Sequence, residues 1–220
     1  MRFAQDPRTV LTLDAGGTTF TFAALRGGRE VMTPFTVPAH GEDLDRCLGQ
    51  LAQGFERART EAGACEAISF AFPGPADYAR GIIGDLGNLP GFRGGVPLGP
   101  LLEARFGCPV FLNNDGDLFA YGEALGGFLP EVNAALAAAG SHRRHRNLIG
   151  LTLGTGFGGG LVRAGELVLG DNGAAGEVWL LRHRDLRDTS VEEGVSIRAV
   201  RRVYAEVAGV DPEGVPEPKA

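Results

Sequence analysis

The chain has 220 residues, 44% of them apolar, enough for one large domain or two modest ones, and this excludes disorder as the main class. A formal net charge of -6 aids solubility and argues against non-specific nucleic-acid binding, while leaving room for a local basic patch. Three widely spaced cysteines, Cys47, Cys65 and Cys108, exclude a disulfide scaffold and a Cys-rich metal site, and each reads as a small buried apolar residue in a reducing compartment.

The opening MRFAQDPRTV lacks the charged start and unbroken apolar core of a secretion signal. No stretch approaches a membrane-spanning run, so a cytoplasmic location with no membrane partner is expected. The 35 glycines and 13 prolines follow no collagen-like period and separate apolar runs, which reads as tight turns between short elements of an α/β protein.

In chain order, strands are expected at Val10 to Asp14, Thr19 to Leu25 and Val31 to Val37. Leu44, Cys47, Leu48, Leu51, Phe55 and Ala58 recur at helical spacing, predicting a helix over Asp43 to Ala58 with one buried stripe. EAISFAFPGP returns to strand character and stops at Pro73, Gly74 and Pro75. After the glycine-rich GIIGDLGNLPGF, PLGPLLEARFG reads as a short helix from near Pro100. CPVFLNND reads as a strand ending at Asn113, Asn114 and Asp115, at the carboxyl end where open α/β sheets bind ligands. A helix is expected from Asp117 through Gly122, and another over EVNAALAAAG. SHRRHR, Ser141 to Arg146, reads as a solvated basic loop.

NLIGLTLGTGFGGGLVRAGELVLG then repeats the strand, Gly-Thr turn and strand of the opening. That repetition predicts two related lobes around a cleft, divided near Leu118 to Leu125 into residues 1–118 and 119–220. Near the end, Ser190 and Glu193 have capping-box spacing, and Ile197, Val200, Tyr204 and Val207 mark a helical apolar face. DPEGVPEPKA has too little periodicity to continue a core, so the second lobe is expected to be incomplete.

Two glycine turns and one polar trio carry the candidate chemistry. LDAGGTT combines the Asp14 carboxylate, bare backbone at Gly16 and Gly17, and the hydroxyls of Thr18 and Thr19. A hairpin turn and a phosphate cradle with a metal-directed carboxylate both fit this stretch. LGTGFGGG supplies a second such turn with Thr155, and a facing pair can surround a polyphosphate with amide donors while Mg²⁺ takes oxygen ligands. Neither turn matches a Walker loop or the dinucleotide fingerprint. Asp115 can accept a proton from an alcohol that Asn114 holds, or the trio can cap a helix. Asn88 and Glu177 add polar arms in glycine-rich surroundings, a set suited to polyol recognition.

With LDAGGTT, FPGPAD, GNLPGF, NNDGDLFAYGEALGG, LGTGFGGG and GDNGAAGE in this order, the chain resembles the ROK family (repressor, open reading frame, kinase) of bacterial sugar kinases and sugar-responsive repressors. The resemblance runs from about Leu11 to Tyr204. It implies an actin-like, ribonuclease H-like ATPase fold and ATP-dependent phosphorylation of a hexose or related sugar hydroxyl. By that resemblance Asp14 helps place magnesium, through water, and Gly16, Gly17, Thr18, Thr155 and Gly156 approach the ATP phosphates. Asn88, Asn114, Asp115 and Glu177 contact sugar hydroxyls, with Asp115 as the general base. Closing the lobes would align the reactants and exclude water. A homodimer is the implied assembly.

The chain departs from the family after Glu177. Family members commonly continue as Gly-Glu-Ile-Gly-His and then a zinc-binding cysteine cluster. Here GEVWLLRHRDLRD puts Trp179 at the glycine, Leu180 at the histidine and no cysteine after them, with His183 displaced by three residues. Structural zinc is not expected. The missing histidine keeps a second reading open, a non-catalytic sugar- or nucleotide-binding protein of the same fold. A DNA-binding repressor is disfavoured, since the first phosphate motif starts by Leu11 and no recognition helix precedes it; no nucleic-acid partner is expected.

Overall fold

In the strand Thr9–Ala15 (β1), alternate residues Thr9, Leu11 and Leu13 are buried, the period-two pattern of a sheet with one covered face. The computed structural model describes residues 5–215. The start of MRFAQDPRTV and the end of DPEGVPEPKA therefore lie outside the described residues. The chain divides into two compact units, Met1–Asp115 and Gly116–Ala220, each of which is described by itself.

In the first unit, β1 turns back into Thr19–Arg26 (β2), which pairs with both Arg29–Glu30 (β3) and Phe35–Pro38 (β4). Of the single strand expected over Val31 to Val37, only the end forms, within β4, and β3 lies before the expected start. Gly27 and Gly28, at φ 58° and 73°, make the first tight turn, and Pro34 supplies no amide for a continuous ladder. The helix Leu44–Ala62 (α1) runs four residues beyond its expected end. The Asp43 side chain caps its start by accepting from the Arg46 amide, and Gly63 ends it in the left-handed conformation. Ala67–Ala71 (β5) follows, then the small hairpin of Ala76–Asp77 (β6) and Ile82–Ile83 (β7), the helix Leu98–Phe106 (α2) and the strand Val110–Asn113 (β8).

The main sheet has the order β3-β2-β1-β5-β8, with β4 also on β2 and with β1, β5 and β8 mutually parallel. Packed against it is a continuous apolar core. Phe22 stacks on Phe35 at 5.4 Å and meets Phe55 edge-on at 5.0 Å, and the ring contacts continue through Phe70 and Phe72 to Phe92. Cys47 lies inside this core, while Cys65 and Cys108 are half-buried with sulfurs 3.2 Å apart.

The second unit begins with the helix Asp115–Leu125 (α3), whose first residue closes the first unit, followed by Phe128–Ala138 (α4). The basic loop after α4 is exposed and tied to it by the Asn133 side chain, which donates to the His145 carbonyl and accepts from its amide. Leu148–Leu153 (β9), Phe157–Arg163 (β10) and Glu166–Leu167 (β11) form an antiparallel sheet in the order β11-β10-β9. Gly150 and Gly160 have no side chain because one would collide with Ala120 of α3, at 2.7 and 2.8 Å. Close packing against α3 thus explains the glycine run. On the other face of β9, Ile149, Leu151 and Leu153 are exposed. The buried cluster is small, consisting of Ala120, Ala124, Leu129 and Val162.

Glu192–Val195 (α5) and Ile197–Ala208 (α6) complete the unit. The expected capping box is absent. Glu193 meets Ser190 only through its backbone amide, and its carboxylate pairs instead with Arg198. The expected helix exists as α6, but Val200, Tyr204 and Val207 of its apolar face are exposed, and its buried positions are Ala199 and Ala205. No helix among the described residues is long and apolar enough to cross a membrane.

Candidate functional site

Because β1, β5 and β8 are parallel, their carboxyl ends share one edge of the first unit's sheet. Asp14 stands at that end of β1, exposed. After it the chain turns tightly, with the Gly16 amide donating to the Thr19 carbonyl at 3.0 Å and Thr18 accepting from the Ala39 amide at 2.9 Å. LDAGGTT is therefore a hairpin connection, with Gly17 and Thr18 exposed. A side chain grown on Gly17 would lie 3.6 Å from Asn88, so the structure brings these two expected site residues together.

Asn88 is exposed at the tip of a rigid loop. Leu86, Leu89 and Phe92 anchor that loop in the core. Arg93 donates to the Leu86 and Phe92 carbonyls, and the Gly91 amide reaches the Gly41 carbonyl. Such anchoring fixes a polar side chain at low entropic cost on binding.

At the end of β8, the Asn113 carbonyl accepts from the Phe72 amide at 3.0 Å, and its side chain accepts from the Asn114 amide at 2.9 Å. The helix starts two residues earlier than expected, so Asp115 occupies its first turn. A carboxylate there is favoured by the exposed amide dipoles. Asp115 is exposed and Asn114 half-buried, an accessible acceptor beside a more constrained amide.

In the second unit, Gly154, Thr155 and Gly156 connect β9 to β10, with Leu153 opposite Phe157. The Gly154 amide donates to the Gly156 carbonyl at 3.0 Å. Two residues that the sequence reading passed over grip this turn. Arg198 donates to the Thr155 carbonyl at 3.1 Å, and the Glu192 carboxylate accepts from the Phe157 amide at 2.9 Å. Their carboxylate–guanidinium pair closes at 2.7 Å. The neighbouring carboxylates raise the Arg198 pKa further above its ordinary value, and Arg198 holds Glu193 below its own.

Glu177 precedes a single 3-10 turn, Val178–Leu180, and its carboxylate accepts from the Trp179 indole nitrogen. Leu180 is 61% exposed, so the residue at the family's histidine position makes no core contact that would explain it. His183 has a local role: its Nδ1 accepts from the Asp185 and Leu186 amides, each at 3.0 Å. Asp117, also passed over, is buried near Gly176, and a side chain on that glycine would come within 3.0 Å of its carboxylate. It therefore packs the loop before Glu177 against α3.

Parallel strands ending in polar residues, with glycine hairpins in both units, define an α/β protein of the actin-like class. The solved structures agree. A glucokinase from Parabacteroides distasonis superposes with a TM-score of 0.88 and 58% identity, over 99% of this chain and 61% of that one. A ROK hexokinase from Thermus thermophilus gives 0.71 and 30%, over 92% and 65%. The ROK family model matches residues 10–179, and the chain belongs to the ROK family. Among curated relatives, an N-acetyl-D-glucosamine kinase from Vibrio vulnificus strain CMCP6 is 32% identical over 170 residues, 77% of this chain and 51% of the relative. The chain spans about half the length of the curated relatives it matches.

Proposed function

We propose that this chain carries the acceptor and phosphate sites of an ATP-dependent sugar kinase, with Asp115 as the general base. The observation that carries this reading is the shared sheet edge of the first unit. An accessible carboxylate begins the helix after β8, Asp14 ends β1, and the Gly17 backbone lies against Asn88. The kinases among the relatives support the same reading.

In this reading Asn88, Asn114 and Glu177 hold sugar hydroxyls, and Asp115 takes the proton of the reacting hydroxyl as its oxygen bonds to the γ-phosphorus of ATP. The bond to the bridging oxygen breaks and ADP leaves with its electron pair. The backbone at Gly17, Thr18, Thr155 and Gly156 supplies amide donors that stabilise negative charge on the phosphates, while Gly16, whose amide is held by the Thr19 carbonyl, shapes the turn beside them. Open backbone at these positions suits a phosphate, and the exposed Asp14 carboxylate is a suitable hard-oxygen donor for magnesium, held through water. Bound magnesium would neutralise charge on the phosphates. The first unit then serves sugar and phosphate, the second the nucleotide; a cytoplasmic homodimer belongs to the same proposal.

One observation favours the second reading, a non-catalytic binding protein: the Glu177 carboxylate is engaged by Trp179, and Leu180 replaces a polar residue. ATP consumption across a panel of hexoses and amino sugars separates the two. Sugar-dependent ADP release supports the kinase, whereas saturable sugar binding with no ADP release supports the binding protein.

A further inference from the structure

The turn at Gly154–Gly156 is gripped from one side at successive residues. The Ile197 amide donates to the Gly154 carbonyl at 2.9 Å, Arg198 donates to the Thr155 carbonyl, and Glu192 accepts from the Phe157 amide. All these partners come from the α5–α6 corner. The peptide bonds after Gly154 and Thr155 are trans, so each carbonyl points opposite to the amide that follows it. Holding the Gly154 and Thr155 carbonyls toward the corner therefore aims the Thr155 and Gly156 amides away from it. There they meet no hydrogen-bond acceptor among the described residues. Two adjacent outward amides are an anion-binding arrangement.

We infer that Arg198 and Glu192 are positioning residues, which set the peptide planes of this turn so that the Thr155 and Gly156 amides are presented to a nucleotide phosphate. The inference rests on the kinase reading above and deepens it. It also explains a glycine: a side chain at Gly156 would come within 2.8 Å of the Glu192 carboxylate and push it off the Phe157 amide. Neither residue touches the phosphate in this account. Arg198 neutralises the two carboxylates, Glu192 and Glu193, that would otherwise repel an anion near the turn.

The test is titration of the full chain with magnesium and ATP, following amide NMR signals and affinity in the parent, Arg198→Ala and Glu192→Ala. In the parent, the Thr155 and Gly156 amides should shift. Arg198→Ala should weaken ATP binding by roughly 10- to 100-fold, the loss of about one hydrogen bond to a charged group. Glu192→Ala decides between positioning and plain charge. Loss of a negative charge near the turn would by itself tighten ATP binding, whereas loss of the Phe157 anchor weakens it, and weakening is expected. Glu192→Ala binding ATP as tightly as the parent, or tighter, overturns the inference. It serves alone if Arg198→Ala loses its dispersed spectrum. Parent amides that ignore ATP overturn the inference and the nucleotide role of this turn, while sugar-dependent ADP release in the same sample shows whether the kinase reading survives.

Discussion

Asp14, Gly17, Asn88 and Asp115 differ in what each contributes and in how it can be tested. Gly17 is the cleanest case. A methyl group there would meet Asn88 at 3.6 Å, an ordinary contact, and the residue does not have a positive φ, so Gly17→Ala should fold normally. In the proposed site it would nonetheless crowd the backbone assigned to a phosphate. Its KM for ATP should rise roughly 10- to 100-fold, the scale of an ångström of misplacement, with the melting temperature unchanged. A parental KM would remove the first hairpin from the phosphate site. Asn88 depends on its neighbours, because Leu86, Leu89 and Phe92 fix the loop that presents it.

At the scale of elements, Gly54 shows packing overruling propensity. Replacing a glycine inside an exposed helix by alanine stabilises by about 1 kcal/mol. Gly54 of α1, however, faces the ring of Phe22, which is held between Phe35 and Phe55. Gly54→Ala should therefore destabilise by roughly 1–3 kcal/mol, read as a lower denaturant midpoint; an unchanged or higher midpoint would contradict this packing. The first unit is legible in the sequence because its signals are local. Alternation marks β1 and a stripe of apolar residues marks α1, whose last turn, ended by Gly63, nevertheless runs past the expected Ala58. The motif order likewise brings Asp14, Asn88, Asn114 and Asp115 into view as candidates. Less is legible in the second unit. Periodicity identifies α6 as a helix but says nothing of what covers Val200, Tyr204 and Val207, which are exposed. The link from Arg198 to Thr155 spans 43 residues and leaves no spacing rule to read. Ser190 and Glu193 mislead for a different, local reason, since Arg198, five residues further on, takes the Glu193 carboxylate.

For the whole molecule, stability should depend on the large core of the first unit, and the alkaline side gives a handle on it. Burial, reinforced by the Glu42 charge, pushes the Cys47 thiol from an ordinary 9.0 up to about 11. Burial and the hydrogen bond to Cys108 push Cys65 to about 12. In the unfolded chain these thiols ionise first. Between pH 9.0 and about 11 the unfolded state thus binds fewer protons than the folded one. The stabilisation is fully present below the unfolded value and is lost as pH rises through the folded one. Denaturant titrations over that range should show falling stability, with a shallower slope in Cys47→Ala; equal slopes would contradict the assignment. The proposed phosphate transfer to a sugar, with Asp115 as base, turns on Asp115→Asn. The substitution keeps shape and hydrogen bonding but removes the proton acceptor. The measurement compares sugar-dependent ADP release and sugar affinity in parent and variant at saturating magnesium and ATP. Turnover should fall roughly 10²- to 10⁴-fold while sugar affinity changes little; near-parental turnover with normal sugar binding would contradict the account.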